Sequence, residues 1–416
     1  MSDQTDQQPP VQTPSGAPEA GDGRQGRLRQ FWADLIGINV DWRGAVLVPL
    51  LAVLTSVIIG ALIIVVSDLD MWRQLGSSPG KALGDAGRLV ANAYGALAEG
   101  AFGSGEAWSE TLVAATPLIL AGLCVAIGFR AGLFNIGGQG QVIVGGMASL
   151  IVGFSIHLPS FIHIPLALLA GIAAGALWGG IAGFLKAKTG AHEVITTIML
   201  NYIALFLLRW GLKTDFIRAV GRTDPISKPI DTSAQLPQLF GFIEGNTLRI
   251  HLGFIIALLA AWFAYWLLFK STIGFEFRAT GFNLHAAEYA GMKTSRLFIL
   301  VMAIAGAMAG LAGAGQMLGV HGQAVDGFQG TYGFDAIALA LLGRSHPAGV
   351  VVASLLFGAL QAGGRIMQAR TSVSIDLVLV VQSLVIMFVA APALIRAIYR
   401  VRTGEGAGQL TRGWGS

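Results

Sequence analysis

The chain has 416 residues, 54% of them hydrophobic and 12% charged, with a formal net charge of +4 and a pI near 9.3. So little polar surface cannot wrap a soluble domain of this length, so a bilayer is the expected solvent, and the basic balance reflects Lys and Arg in loops rather than a nucleic-acid polymer as partner. A single cysteine, Cys124, excludes an intrachain disulfide and a cysteine metal cluster.

Residues 1–40 are expected as a disordered cytoplasmic tail. The first 30 are rich in Gln, Pro, Gly, Asp and Arg and carry almost no large apolar side chain to offset the entropy of ordering. They lack the apolar core and small-residue cleavage site of a signal peptide, so the first span is expected as an uncleaved anchor. Within a permease-like body at 41–400, ten apolar runs follow: 44–66, 111–129, 141–158, 164–185, 194–208, 250–269, 297–320, a short one at 336–343, 347–364 and 377–395. Residues 401–416 form a second cytoplasmic tail. The run from Ile164 carries Gly171, Gly175, Gly179 and Gly183 at four-residue spacing, a groove along one helix face that admits a second backbone. Glycine, 57 of 416 residues, is about twice its usual share, which favours helix packing and helix breaks over catalytic loops.

Ten crossings put both termini on one side. Placing them in the cytoplasm puts about 16 of the 27 Lys and Arg inside, the orientation that the positive-inside rule favours. Two segments then lie outside as partner-facing loops. One is 67–110, with a short surface helix from Leu89 to Phe102. The other is 209–249, punctuated by Pro225, Pro229 and Pro237. Five spans flank the second loop on each side and run in opposite senses, so the expected architecture is all-α and polytopic, with inverted five-helix repeats and broken helices.

Four segments carry candidate function. Residues 130–141, RAGLFNIGGQGQ, interrupt two spans, and irregular backbone at membrane depth survives only inside protein or against a wet cavity. Phe134, Asn135, Gln139 and Gln141 therefore either face a solute path or cap broken helix ends. A second interruption runs through Gly333, Phe334 and Asp335 into a half-length apolar run ended by 343–349. Short broken segments at matching places mark a translocation site, although Asp335 serves equally as a helix N-cap. Glu193, Thr197 and Asn201 form one polar stripe at i, i+4, i+8, which either grips a polyhydroxy ligand or hydrogen-bonds a neighbouring helix. Finally, residues 278–293 hold a helix start at Asn283 and a stop at Gly291, with small side chains suited to docking in another protein's groove.

These strings resemble the permease subunits of ATP-binding-cassette importers, in the nucleoside and simple-sugar branch. The likeness is carried by FNIGGQGQ at 134–141, HEVITTIMLNYIA at 192–204, RATGFNLHAAEYAGM at 278–292, GAMAGLAGA at 306–314 and YGFDAIALALLGRSHPAGV at 332–350, and extends over about residues 80–395. The resemblance implies a multi-pass protein of the bacterial inner membrane that pairs with a second permease, cytoplasmic ATPases and an external solute-binding protein. Residues 278–293 would be the coupling helix, with Arg278, Gly281, Asn283, Ala286, Ala287 and Gly291 engaging the ATPase. ATP and magnesium would sit on that partner, and this chain would hold no cofactor, metal or catalytic residue. Consistent with that, the stretch from Gly76 to Lys81 looks like a phosphate loop but is one residue short and lacks the final Ser or Thr. The competing readings are a permease for branched-chain amino acids or another small solute, an ion-coupled carrier, and a membrane-embedded enzyme. The carrier needs midplane carboxylates that only Asp335 approaches, and the enzyme needs a clustered nucleophile, base or metal site.

Overall fold

The computed structural model describes residues 47–399 apart from 244, 246 and 372, and the expected tails at 1–40 and 401–416 lie outside these residues. The described chain is helical, with no strand beyond two isolated bridges. In chain order the helices are α1 (Val48–Ser67), α2 (Leu69–Leu75), α3 (Pro79–Phe102), α4 (Gly105–Arg130), α5 (Gly138–Ser155), α6 (Ser160–Thr189), α7 (Glu193–Gly211) and α8 (Gly253–Lys270). They continue with α9 (Thr272–Phe282), α10 (Leu284–Tyr289), α11 (Thr294–Gln316, prolonged by a π turn to His321), α12 (Tyr332–Leu342), α13 (Pro347–Arg370), α14 (Asp376–Ala390) and α15 (Pro392–Tyr399). Among the described residues seven helices are long and apolar enough to cross a bilayer: α1, α4, α6, α7, α8, α11 and α13. The 11 residues of α12 rise only about 16 Å, half a hydrocarbon core.

Burial follows the sequence pattern. α4 is apolar on every face and lies at the centre, packed by α8, α11, α12 and α13. α7 instead buries one stripe, Glu193, Thr197, Asn201, Ala204 and Leu208, and leaves Ile195, Met199, Phe206 and Trp210 exposed on the opposite face, as a lipid-facing helix does.

The glycine stripe of α6 meets α11 backbone to backbone. A Cβ at Gly171 would come within 2.7 Å of the Ala314 side chain, and one at Gly183 within 2.7 Å of the Phe298 carbonyl. Between them Gly175 and Gly306 are so close that a methyl on either collides with the other's main chain. The rising numbers on α6 meet falling numbers on α11, so the pair is antiparallel. At such contact the stabilisation is dispersion between main chains, and no side chain larger than hydrogen fits.

Segment 67–110 corrects the expectation of a loop. It is helical almost throughout, and α3 starts ten residues before the expected surface helix, at Pro79. Its small residues Ala82, Ala86, Ala93, Ala96 and Gly100 are buried, and Gly100 sits against Ile366 and Gly363 of α13. The run expected from 377 to 395 is likewise two helices, α14 and α15, divided before Pro392, whose missing N–H ends the ladder. Beyond the end of α7, the described residues of 212–249 hold one 3-10 turn, Thr232–Ala234, and are otherwise irregular, as the prolines dictate, and the segment is tied to the end of α11. The N–H groups of Leu236, Ile230 and Ser227 donate to the carbonyls of Leu318, Gly322 and Ala324 at 2.8 to 2.9 Å.

Candidate functional site

The two interruptions meet at the centre of the bundle. α4 ends at Arg130, the chain runs without regular structure through 133–136, and α5 restarts beside the first turn of α12. Gly138 and Gly333 pack together so closely that a Cβ on Gly333 would overlap the Gln139 main chain. Gln139 joins the breaks: its Nε2 donates to the Gly330 carbonyl at 2.6 Å, and its Oε1 accepts from the Gly333 N–H at 2.8 Å.

Beside this crossing lies an amide cluster. Asn135 Nδ2 donates to Gln141 Oε1 at 3.2 Å, Gln141 Nε2 donates back to Asn135 Oδ1 at 3.3 Å, and the same Oδ1 accepts the Gly137 N–H at 2.9 Å. The Cys124 thiol, set aside in the sequence, completes the group, donating to Gln141 Oε1 and accepting from Asn135 at 3.3 Å each. From α7, Asn201 reaches across: its Oδ1 accepts the Gly140 N–H at 2.7 Å and its Nδ2 donates to the Ile136 carbonyl at 2.9 Å. The Gly140 N–H belongs to the first turn of α5 and has no intrahelical acceptor, so Asn201 caps from another helix what a local residue usually caps. Thr197 turns its hydroxyl onto the Glu193 carbonyl at 2.7 Å, and a Cβ at Gly137 would come within 3.0 Å of the Thr197 Cβ.

Asn135, Gln139, Gln141, Thr197 and Asn201 are all 7% exposed or less, and each polar group is held by protein. The structure brings these five together: the amides of Asn135, Gln139, Gln141 and Asn201 bind the broken segments to one another, and Thr197 packs beside them with its hydroxyl on carbonyls of its own helix. Phe134 is half-buried, stacks on Phe129 at 5.0 Å between ring centres, and gives its N–H to the Glu193 carboxylate, which also takes Lys186 Nζ at 2.6 Å. Asp335 stands apart from the cluster. It lies in the first turn of α12 rather than at its N-cap position, which is Thr331, and it accepts the Thr331 hydroxyl at 2.8 Å.

At the end of the bundle where α4 and α8 finish, residues 278–293 form the end of α9, the short helix α10 and the turn into α11. Asn283 begins α10, its Oδ1 accepting the Ala286 N–H at 2.9 Å. Gly291, at φ 84°, ends it, with the Met292 N–H returning to the Ala287 carbonyl. Ala287 is buried beneath the helix, Ala286 is exposed, and Phe282 and Tyr289 stand 89% and 96% exposed. Gly281 packs against Ala131 and Gly132, the start of the first interruption. A shallow cavity of about 520 Å³ opens between Lys270, Phe275, Arg278 and Met292.

Sequence reasoning passed over Arg130, counting it only as a loop charge. Its Nε donates to the Ser345 carbonyl at 2.9 Å and an Nη to the Arg344 carbonyl at 3.3 Å, so the end of the first interrupted span grips the second interruption. Arg344 and Ser345 have φ of 53° and 52°, a conformation costing non-glycine residues about 1–2 kcal/mol each. Its one visible signal was a charge at the junction of a span and a glycine-rich break.

Apolar helices of membrane-crossing length, two of them interrupted at a shared centre and a short helix standing exposed at one end, define a multi-pass membrane protein of the transporting class. Residues 108–390 match the family described as branched-chain amino acid transport system / permease component, and the chain belongs to that family of transport subunits. Among similar proteins, guanosine ABC transporter permease protein NupP of Bacillus subtilis is 43% identical over 87% of this chain and 97% of its own length. Nucleoside ABC transporter permease protein NupB of Lactococcus lactis is 35% identical over 85% and 93%, and glucose ABC transporter permease protein TsgB13 of Haloferax volcanii is 33% identical over 85% and 89%. No solved structure is a significant match.

Proposed function

We propose that this chain forms the translocation path of an ATP-driven importer for nucleosides, with neutral sugars as the neighbouring substrate class. The observation that carries the reading is the 43% identity to a guanosine permease across nearly that protein's whole length. The exposed aromatic pair on α9 and α10 supports it, because a soluble ATPase needs an accessible anchor and Phe282 and Tyr289 offer one beside small Ala286. In this reading residues 278–293 couple to a cytoplasmic ATPase that holds the ATP and magnesium. A second permease subunit completes the path, an external solute-binding protein delivers the solute, and both termini lie in the cytoplasm of a bacterial cell with the chain in its inner membrane.

Alternating access then follows from where the bundle is tight and where it is not. The α6–α11 crossing is main chain on main chain along four glycines and moves as one body, whereas α5 and the start of α12 meet main chain on main chain at one point, Gly138 with Gly333, and among the described residues are joined by two hydrogen bonds, both of Gln139. Separating those costs about 1–3 kcal/mol, an accessible amount for a driven step. Opening there would bare Asn135 and Gln141, whose amides suit sugar hydroxyls and base edges.

The experiment is uptake of labelled guanosine by proteoliposomes holding this chain with its ATPase and second permease, with glucose and leucine as competitors. Import that needs ATP and is displaced by guanosine supports the reading. Displacement by leucine alone would move the chain to amino acids, and import by the chain unaided would make it a self-sufficient carrier.

A further inference from the structure

Three stretches remote in sequence meet at Arg130. The first is the end of α4, where Arg130 itself opens the first interruption. The second is the strained turn 344–345, whose two carbonyls receive the Arg130 guanidinium. The third is the entrance to the coupling segment, where the Phe269 ring carries two guanidinium groups, Arg130 and Arg278, each 5.3 Å from its centre. Gly281 closes the junction, its main chain against Ala131 and Gly132 with no room for a side chain.

Two features make this more than packing. Two like charges share one ring, an arrangement that lasts only while both stay near the ring face, since each relies on the ring's negative face and the Coulomb term between them is repulsive. Arg130 also makes no ion pair among the described residues, so a displacement of Arg278 is not absorbed by a carboxylate and reaches Arg130 directly. The planar fork of arginine then pulls on two carbonyls of a turn already held in an unfavourable conformation.

We infer that Arg130 is a positioning residue that transmits movement of the coupling segment to both helix interruptions at once, with the Phe269 ring as the bearing between it and Arg278. Movement of the coupling segment also touches the second interruption through the Phe269 ring, 5.2 Å from the His346 ring, and Arg130 adds the hydrogen-bonded link that ties the end of α4 to the 344–345 turn. The inference rests on the functional reading above, and its test has one arm that does not depend on it.

In the reconstituted complex, guanosine import and ATP hydrolysis are measured in the same vesicles for the wild type, Arg130→Ala, Arg130→Lys and Phe269→Leu. Arg130→Ala is expected to assemble with the ATPase and hydrolyse ATP within twofold of wild type, while import per ATP falls at least tenfold. Arg130→Lys keeps the charge without the fork and should recover less than a third of that ratio. Phe269→Leu preserves apolar volume and both arginines, removes the ring's contacts with Tyr265 and His346 as well, and lowers the ratio at least threefold; if Arg130→Ala fails to fold, Arg130→Lys decides the matter, a ratio within twofold of wild type in it overturning the inference. A ratio within twofold of wild type in assembled Arg130→Ala or Phe269→Leu overturns the inference. In the second arm, spin labels on Ala286→Cys and Ala348→Cys, both exposed positions, are placed on the chain alone in detergent. Arg130→Ala should broaden the distance distribution between them by several ångströms, and an unchanged distribution overturns the inference even if the complex imports no nucleoside.

Discussion

Replacing Asn201 by leucine keeps nearly the same shape while deleting one acceptor and one donor. The Gly140 N–H and the Ile136 carbonyl, now held at 2.7 and 2.9 Å, would both lose their partner at a site only 7% exposed. Leaving a buried polar group unsatisfied costs about 1–3 kcal/mol, so Asn201→Leu should cost about 2–6 kcal/mol, a large share of the stability of most folds. The assay is a heating series in detergent followed by size-exclusion chromatography with fluorescence detection, run beside guanosine uptake. Leu variants should lose the monodisperse peak several degrees below wild type, with uptake lost in proportion to folded protein. A Leu variant as heat-resistant as wild type but impaired in uptake would refute the reasoning, because Asn201 would then be touching solute rather than holding α5.

Gly175→Leu puts a side chain into the main chain of Gly306, and no monodisperse protein should be recovered, whereas Gly84→Ala, with open space around it, should raise the midpoint of the same heating series by an amount equivalent to about 1 kcal/mol. Ala286→Arg places a long cation on the exposed face of α10; the chain should elute unchanged on size exclusion while its ATPase no longer co-purifies. Lys186→Met removes the ammonium partner of the Glu193 carboxylate, only 11% exposed, and leaves it the Phe134 N–H; stability should fall by about 1–3 kcal/mol, less than for a fully buried pair because Lys186 itself is partly in water. The double change Lys186→Met with Glu193→Gln should recover most of that loss in the heating series.

The parts of this architecture written in local spacing were open to sequence reasoning. Four glycines at period four announce the α6 groove, and Asn283 with Gly291 brackets α10, because helix packing faces and caps depend on residues within a turn of each other. The interruption at 133–136 was visible as glycine and amide punctuation between apolar runs. Partners were not visible. Gln139 bonds to Gly330 and Gly333, some 190 positions away, and nothing in either string specifies the other. The same limit hid Arg130, whose acceptors are carbonyls and therefore carry no side-chain signature. Periodicity placed Glu193, Thr197 and Asn201 on one inward face but could not distinguish a solute from a neighbouring main chain as what they meet. The first half of α3 and the burial of its face escaped for a different reason: Lys81, Asp85, Arg88 and Glu99 depress its mean hydropathy, while its contact face is alanine and glycine, which bury well and contribute little to an apolar pattern.

The antiparallel crossing of α6 and α11 has a consequence for measurement. One helix comes from each half of the sequence, so the two halves share a seam that cannot be unzipped without pulling glycine main chains apart. The separation of residues 175 and 306 should therefore stay constant through every stage of a working cycle. That pair is an internal ruler, fixed within the same molecule, against which the displacement of any labelled position can be read.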